Sequence, residues 1–133
     1  MQFTTAQVLG HEHIVIIRLN GDLDAESAED FDHQVTLVVE GGASDILLDL
    51  SELVFMSSAG IQAMNTLYYN LHPVGSQEEK KAISKGIRAG TYEAPHLKLL
   101  NPNERVQHVL RMAGLDMYIG AYQDEDKAVL AFG

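Results

Sequence analysis

A single α/β domain with a mixed β-sheet is predicted by three features of the sequence. Strand-like apolar runs alternate with helical apolar stripes along the chain, in the order ββαβαβαβα. The run Asp45-Ile46-Leu47-Leu48-Asp49-Leu50 is short and almost continuously apolar, the pattern of a strand buried on both faces of a parallel sheet. The 133 residues are 46% apolar, enough for one core, and show no internal repeat, low-complexity tract or interdomain linker.

The elements follow in order. Residues 3–9 have moderate strand propensity, Gly10-His11-Glu12 can turn, and residues 13–19 form a strand centred on Ile14-Val15-Ile16-Ile17. Together they read as a hairpin that Asn20-Gly21-Asp22 ends. Residues 23–42 read as a helix. Ser27-Ala28-Glu29-Asp30 fits a capping box, Phe31, Val35 and Val38 give the inner stripe, and Gly41-Gly42 stops it. The central strand, residues 46–50, is followed by a ten-residue connection, 51–60. A helix then carries Ile61, Met64, Tyr68 and Leu71 at three- and four-residue steps.

The pattern breaks at His72-Pro73-Val74-Gly75. A long connection, about 72–95, reads as a polar insert, and residues 76–88 are an exposed helix or a mobile loop. Residues 96–100 read as a strand. Asn101-Pro102-Asn103-Glu104 reads as a helix start with Asn101 at the cap, and Gly114 as its stop. Residues 117–122 suggest a short edge strand, and Asp124 caps a last helix through Phe132.

Charge narrows the function classes. The formal net charge is −10, and residues 1–79 hold thirteen acids against one base, Arg18. Such a surface repels nucleic acid and anionic membranes, and steers basic protein surfaces toward it. No apolar run approaches the ~18 residues of a membrane span. The first basic residue is Arg18, so no secretory signal is expected, and the absence of cysteine fits a reducing cytoplasm.

No catalytic, cofactor or metal site is expected. The glycine loops that cradle phosphates and the serine nucleophile elbow are absent, and no general base accompanies Ser57 or Ser58. His11 and His13 share a strand face, which turn and edge-strand placement explains. The acids Asp24, Glu26, Glu29 and Asp30 suit the positive end of a helix. Two hydroxyls, Ser57 and Ser58, stand where a strand feeds a helix N-terminus, a position suited to capping and to a phosphate. Asp49 needs partners in its apolar run. It either caps the following loop through Ser51 or belongs to the site around Ser57 and Ser58.

Three segments in order carry a family resemblance. They are Gly21-Asp22-Leu23-Asp24 with Ser27-Ala28, then Asp49-Leu50-Ser51 with Phe55-Met56-Ser57-Ser58-Ala59-Gly60, and finally Leu99-Leu100-Asn101 through Ala113-Gly114-Leu115-Asp116. With them the chain resembles the STAS domain family, whose best-known members are bacterial anti-sigma factor antagonists. The resemblance implies a single STAS-like domain and a cytoplasmic, phosphorylation-regulated binding protein that is not an enzyme. Its implied partners are an anti-sigma factor serine kinase, whose binding releases a sigma factor, and a phosphatase that reverses the modification. By alignment on Gly60, Ser58 matches the phosphorylated serine, with Ser57 as the alternative. Asp22, Asp24, Asp49, Ser57, Ser58, Ala59 and Gly60 make the implied partner-binding set. Ser57 stands where the family carries Asp, and Ala59 where it carries a second Ser. Two other classes remain: a non-switching scaffold subunit, and a module binding a small ligand or nucleotide.

Overall fold

The computed structural model describes residues 1–73 and 75–133; Val74, part of the expected break after Leu71, lies outside them. Five strands form one mixed sheet: β1 (Gln2–Val8), β2 (His11–Leu23), β3 (Asp45–Met56), β4 (Leu97–Leu100) and β5 (Gly120–Tyr122). Their order in space is their order in sequence. β1 and β2 pair antiparallel as the expected hairpin, and all later neighbours pair parallel.

Five helices accompany them: α1 (Ala28–Glu40), α2 (Ser58–Leu71), α3 (Gln77–Ala89), α4 (Glu104–Met112) and α5 (Glu125–Ala131). Because the strand order is monotonic, successive crossovers of one hand bring their helices to the same face. Accordingly Phe31 and Val35 of α1, Met64, Leu67 and Tyr68 of α2, and Val106 and Leu110 of α4 share one core. Val15, Ile17, Leu19, Ile46, Leu48 and Leu50 meet them from the sheet. The alternate positions turn the other way. Leu47 and Leu100 pack there with Ala128 of α5, joined by Ile16, Val129 and Phe132. The central strand is thus buried on both faces, as its continuous apolar run requires.

Several local expectations need correction. Asn20-Gly21-Asp22 does not end the second strand. β2 runs on to Leu23, and its ladder with β3 shifts register between Arg18 and Asn20 and again between Gly21 and Asp22. The presumed connection after Leu50 is also strand, reaching Met56. There only Leu53 and Met56 are buried, a spacing of three that the bulges produce and that simple alternation does not reveal. Of the two readings offered for residues 76–88 the helix is the one observed, as α3 over Gln77–Ala89, and it adds an element that the expected order left out. Asn103, not Asn101, caps α4, accepting from Val106 N at 2.8 Å. Asn101 sits at φ 52°, in the left-handed region that Asn tolerates.

The Ser27 capping box is absent, too. Ser27 Oγ donates to Asp22 O at 2.7 Å and accepts from Asp24 N at 3.0 Å. Asp24 instead supplies the acceptor for the first turn, taking the N–H groups of Glu26 and Ser27 at 3.0 and 3.2 Å. The stop at Gly114, φ 77°, and the Asp124 cap of α5 are as the sequence predicts.

Candidate functional site

The strand-to-helix junction is built by close backbone approach. Ser57 N donates to Leu23 O at 2.9 Å, which ties the exit of β3 to the end of β2. Ser57 is extended, φ −88° and ψ 178°, and its Oγ accepts from Gly60 N at 3.3 Å. It is therefore the N-cap of α2, with its hydroxyl engaged. Gly60 is buried where nothing larger fits. A Cβ there would stand 2.4 Å from Leu23 O and 2.9 Å from Met56 Cγ.

Ser58 is the first residue of α2. It is exposed, and its hydroxyl has no hydrogen-bond partner among the described residues. The unpaired N–H groups and the helix dipole give this position a positive bias, so added negative charge is tolerated by the fold.

The neighbours come from β2 and β3. Asp22 pairs in register with Phe55, and Leu23 with Met56. This brings the exposed Asp22 carboxylate beside the junction, and Asp24 follows at the start of α1. Val54 and Phe55 are 55% and 40% exposed, so apolar surface borders the hydroxyl. Ala59 lines a shallow groove between α1 and α2 with Ala25 and Ala28. Of the sequence-derived set, Asp22, Asp24, Ser57, Ser58, Ala59 and Gly60 are thus gathered at one end of the molecule.

Asp49 is not among them. It lies seven residues before the end of β3, about 23 Å away at ~3.3 Å per residue. Its side chain shares the sheet face of Leu47, is 4% exposed, and receives Arg18 Nε at 2.9 Å. Ser51 donates to it through N at 3.0 Å and Oγ at 2.7 Å. Burial opposes ionisation, but the two Ser51 bonds and Arg18 outweigh it, holding the carboxyl below its ordinary value. Ser51 is the partner the sequence suggested, but both residues lie inside β3, so Asp49 caps no loop and belongs to no junction site; it is an internal strand carboxylate held by Ser51 and Arg18.

Sequence reasoning missed a second polar group at the opposite end of the sheet. The buried Asp45 carboxylate receives His96 Nδ1 at 2.6 Å and faces His13 Nε2 at 3.4 Å. His96 N donates to His72 Nε2 at 3.0 Å, so that nitrogen carries no proton. His72 Nδ1 then donates to Tyr68 O at 2.7 Å. Burial is the main cause holding His72 below the usual histidine range, with His96 and Lys98 adding to it. Parallel pairing of Ile46 with Leu97 is what aligns Asp45 with His96, and residues 51 apart leave no local signal. Lys98 is likewise a surprise: 2% exposed, it donates to Glu93 and to Ala94 O at 3.0 Å. Among the described residues, no group of three or more His, Cys, Asp or Glu could hold a metal, and no helix is long and apolar enough to cross a membrane.

The fold is similar to those of several solved proteins. One is an anti-sigma factor antagonist from Mycobacterium paratuberculosis, 16% identical, covering 98% of this chain and 92% of that one with a TM-score of 0.71. The anti-sigma factor antagonist SpoIIAA in its unphosphorylated form is 22% identical over 96% of this chain and 93% of its own, at 0.68. The Bacillus cell fate determinant SpoIIAA in its phosphorylated form is 22% identical over 96% of both chains, at 0.61. At such identities the likeness establishes the fold alone. The sequence itself matches the family model for the STAS domain over residues 5–77, which takes in β2, α1, β3 and the whole Ser57–Gly60 junction. That match spans more than half of the chain, and the protein belongs to the STAS domain family.

Proposed function

We propose that this protein is a phosphorylation-regulated partner-switching protein. Its unphosphorylated form binds an anti-sigma factor serine kinase and thereby releases a sigma factor. Phosphorylation of Ser58 ends that binding, and a phosphatase restores it. The protein acts in the cytoplasm, as a binding partner rather than an enzyme. The observation that carries the reading is the division of labour at the junction. Ser57 is committed to capping α2, while Ser58 is exposed and unpaired among the described residues. The antagonist function of the structural neighbours supports the same reading.

A partner seated on Val54, Phe55 and Ser58, with Asp22 and Asp24 at its margin, would bury apolar surface inside an acidic rim. Phosphorylation adds about −1.5 to −2 charges to that surface. The helix N-terminus gains ~0.3–1 kcal/mol from an anion, so the domain stays folded while the docking surface changes. Shifting a complex from nearly all bound to nearly all free takes ~5.5 kcal/mol. Surface repulsion is screened over about 8–10 Å by salt, so the bulk of the phosphate must exclude the partner sterically as well.

The test is phosphate transfer from the cognate kinase followed by intact mass. Wild type and Ser57→Ala should gain one phosphate, and Ser58→Ala none. Ser58→Ala should still bind the kinase, whereas Ser58→Asp should bind it at least tenfold more weakly, a loss of ~1.4 kcal/mol or more. Full labelling of Ser58→Ala contradicts the assignment, and an unlabelled wild type contradicts the switch.

A further inference from the structure

A cavity of about 620 Å³ opens between the C-terminal half of α2, the inner side of α3 and the segment leading into β4. It lies at the far end of α2 from Ser58, about 20 Å along a 14-residue helix at ~1.5 Å per residue. Its existence follows from an imbalance in α3. The apolar side chains Ile83 and Ile87 face the cavity one turn apart, yet none of the helix's residues is buried. The helix is nevertheless fixed at both ends. Ser76 Oγ caps it, accepting from Glu79 N at 3.2 Å, and Gly90 closes it at φ 73°. Behind Gly90 the chain folds back closely, with Thr91 N and Tyr92 N both donating to Gly86 O. A Cβ on Gly86 would stand 2.9 Å from Tyr92 Cβ. The cavity walls are therefore set by hydrogen bonds and tight packing.

The lining defines a chemistry. Tyr69, Tyr92 and Tyr118 present aromatic surface, and the hydroxyls of Tyr92 and Tyr118 are already engaged, with Tyr68 at 2.8 Å and Asn65 at 2.7 Å. His96 is the ring-nitrogen acceptor on the wall, alongside the hydroxyls of Tyr69 and Ser84. Its Nδ1 faces Asp45 at 2.6 Å, so the neutral tautomer that donates there offers its lone pair at Nε2, which has no partner among the described residues. Lys80 and Glu79 stand together at the wall with opposite charges, which favours neither an anion nor a cation. Small-molecule sites are concave, largely apolar spaces of about 300–1,000 Å³ with a few fixed polar groups, and this cavity meets that description.

We infer that the cavity beneath α3 binds a neutral, planar aromatic small molecule bearing one O–H or N–H donor, stacked against the tyrosines and donating to His96 Nε2. Carrier or effector chemistry of this kind is separate from the serine junction, and its failure leaves the switch reading untouched.

The test uses 2-naphthol and its donor-free analogue 2-methoxynaphthalene, titrated into the ¹⁵N-labelled full chain and followed by amide and histidine-ring shifts. Saturable shifts at Ile83, Ile87, Tyr92 and His96 are expected for 2-naphthol. The analogue should bind about five- to tenfold more weakly, the worth of one hydrogen bond. His96→Phe should abolish that preference while both probes still bind. Ser84→Trp, an exposed position on the cavity wall, should fill the space and remove binding with the fold intact. The inference is overturned by the absence of saturable shifts up to the solubility limit. It is equally overturned by shifts mapping elsewhere, or by equal affinity for the two naphthalenes. Shifts of the same signals on diluting the protein alone would also overturn it, since a second copy would then occupy the groove.

Discussion

Gly60 shows how much one residue decides at the junction. α2 can start against β2 only because no side chain separates Gly60 from the Leu23 carbonyl. That carbonyl also receives Ser57 N and cannot retreat without breaking the bond. Gly60→Ala should therefore destabilise the fold by ~2 kcal/mol or more, despite alanine's better helix propensity, and urea unfolding will measure the loss. An unchanged midpoint would mean that the junction relaxes freely. Asp49 gives a pH signature at the same scale. Its folded-state value lies below the ordinary 3.8, so its contribution is complete above that pH and is lost as pH falls below it. Asp49→Asn should cost ~1–2 kcal/mol at pH 7, a hydrogen-bonded charge partly discounted for the 55% exposure of Arg18. Stability curves of wild type and variant should converge as pH drops below 3.8; a constant gap would assign the loss to packing instead.

At the scale of elements, α3 stands apart from the other helices. α1, α2, α4 and α5 each bury at least one side chain in a core, whereas α3 buries none. Its amphipathic pattern is satisfied locally by caps and by the cavity rather than by the sheet. Replacing residues 76–91 with a short Gly/Ser linker should leave the domain folded, since loop-closure entropy changes by only ~0.6 kcal/mol per doubling of length. Hydrogen exchange of the strand amides is the readout, and unchanged protection in β2, β3 and β4 is expected. Loss of the cooperative transition would make α3 part of the core. The same deletion that keeps the fold but abolishes naphthol binding would tie the helix to the cavity alone.

The whole molecule is one sheet with unequal cover. Three helices shield one face, while α5 alone covers part of the other. Leu47, Leu100 and Ala128 make that smaller contact, with Lys98 beside Leu47 in the ladder, so Leu47→Asp should strip a carboxylate of water in an apolar contact that one lysine already paired to Glu93 only partly offsets, and cost ~3 kcal/mol or more. A variant melting with the parent would show that α5 dissociates at little cost. By itself the sequence determined the alternation of strands and helices, the antiparallel start, the buried central strand, and the two serines at its exit into a helix. These rest on periodicity, glycine stops and caps, which act within a few residues of one another. Only the tertiary structure decided that β2 and β3 continue through Gly21 and Leu53, because the bulges that carry them belong to a pair of strands and not to either one. The same holds for Asp49 joining Arg18 away from the junction, for Lys98 being buried against Glu93, and for Asp45 gathering His13 and His96. Each depends on which strand lies beside which, a fact set by burial of the whole sheet and invisible to any local window.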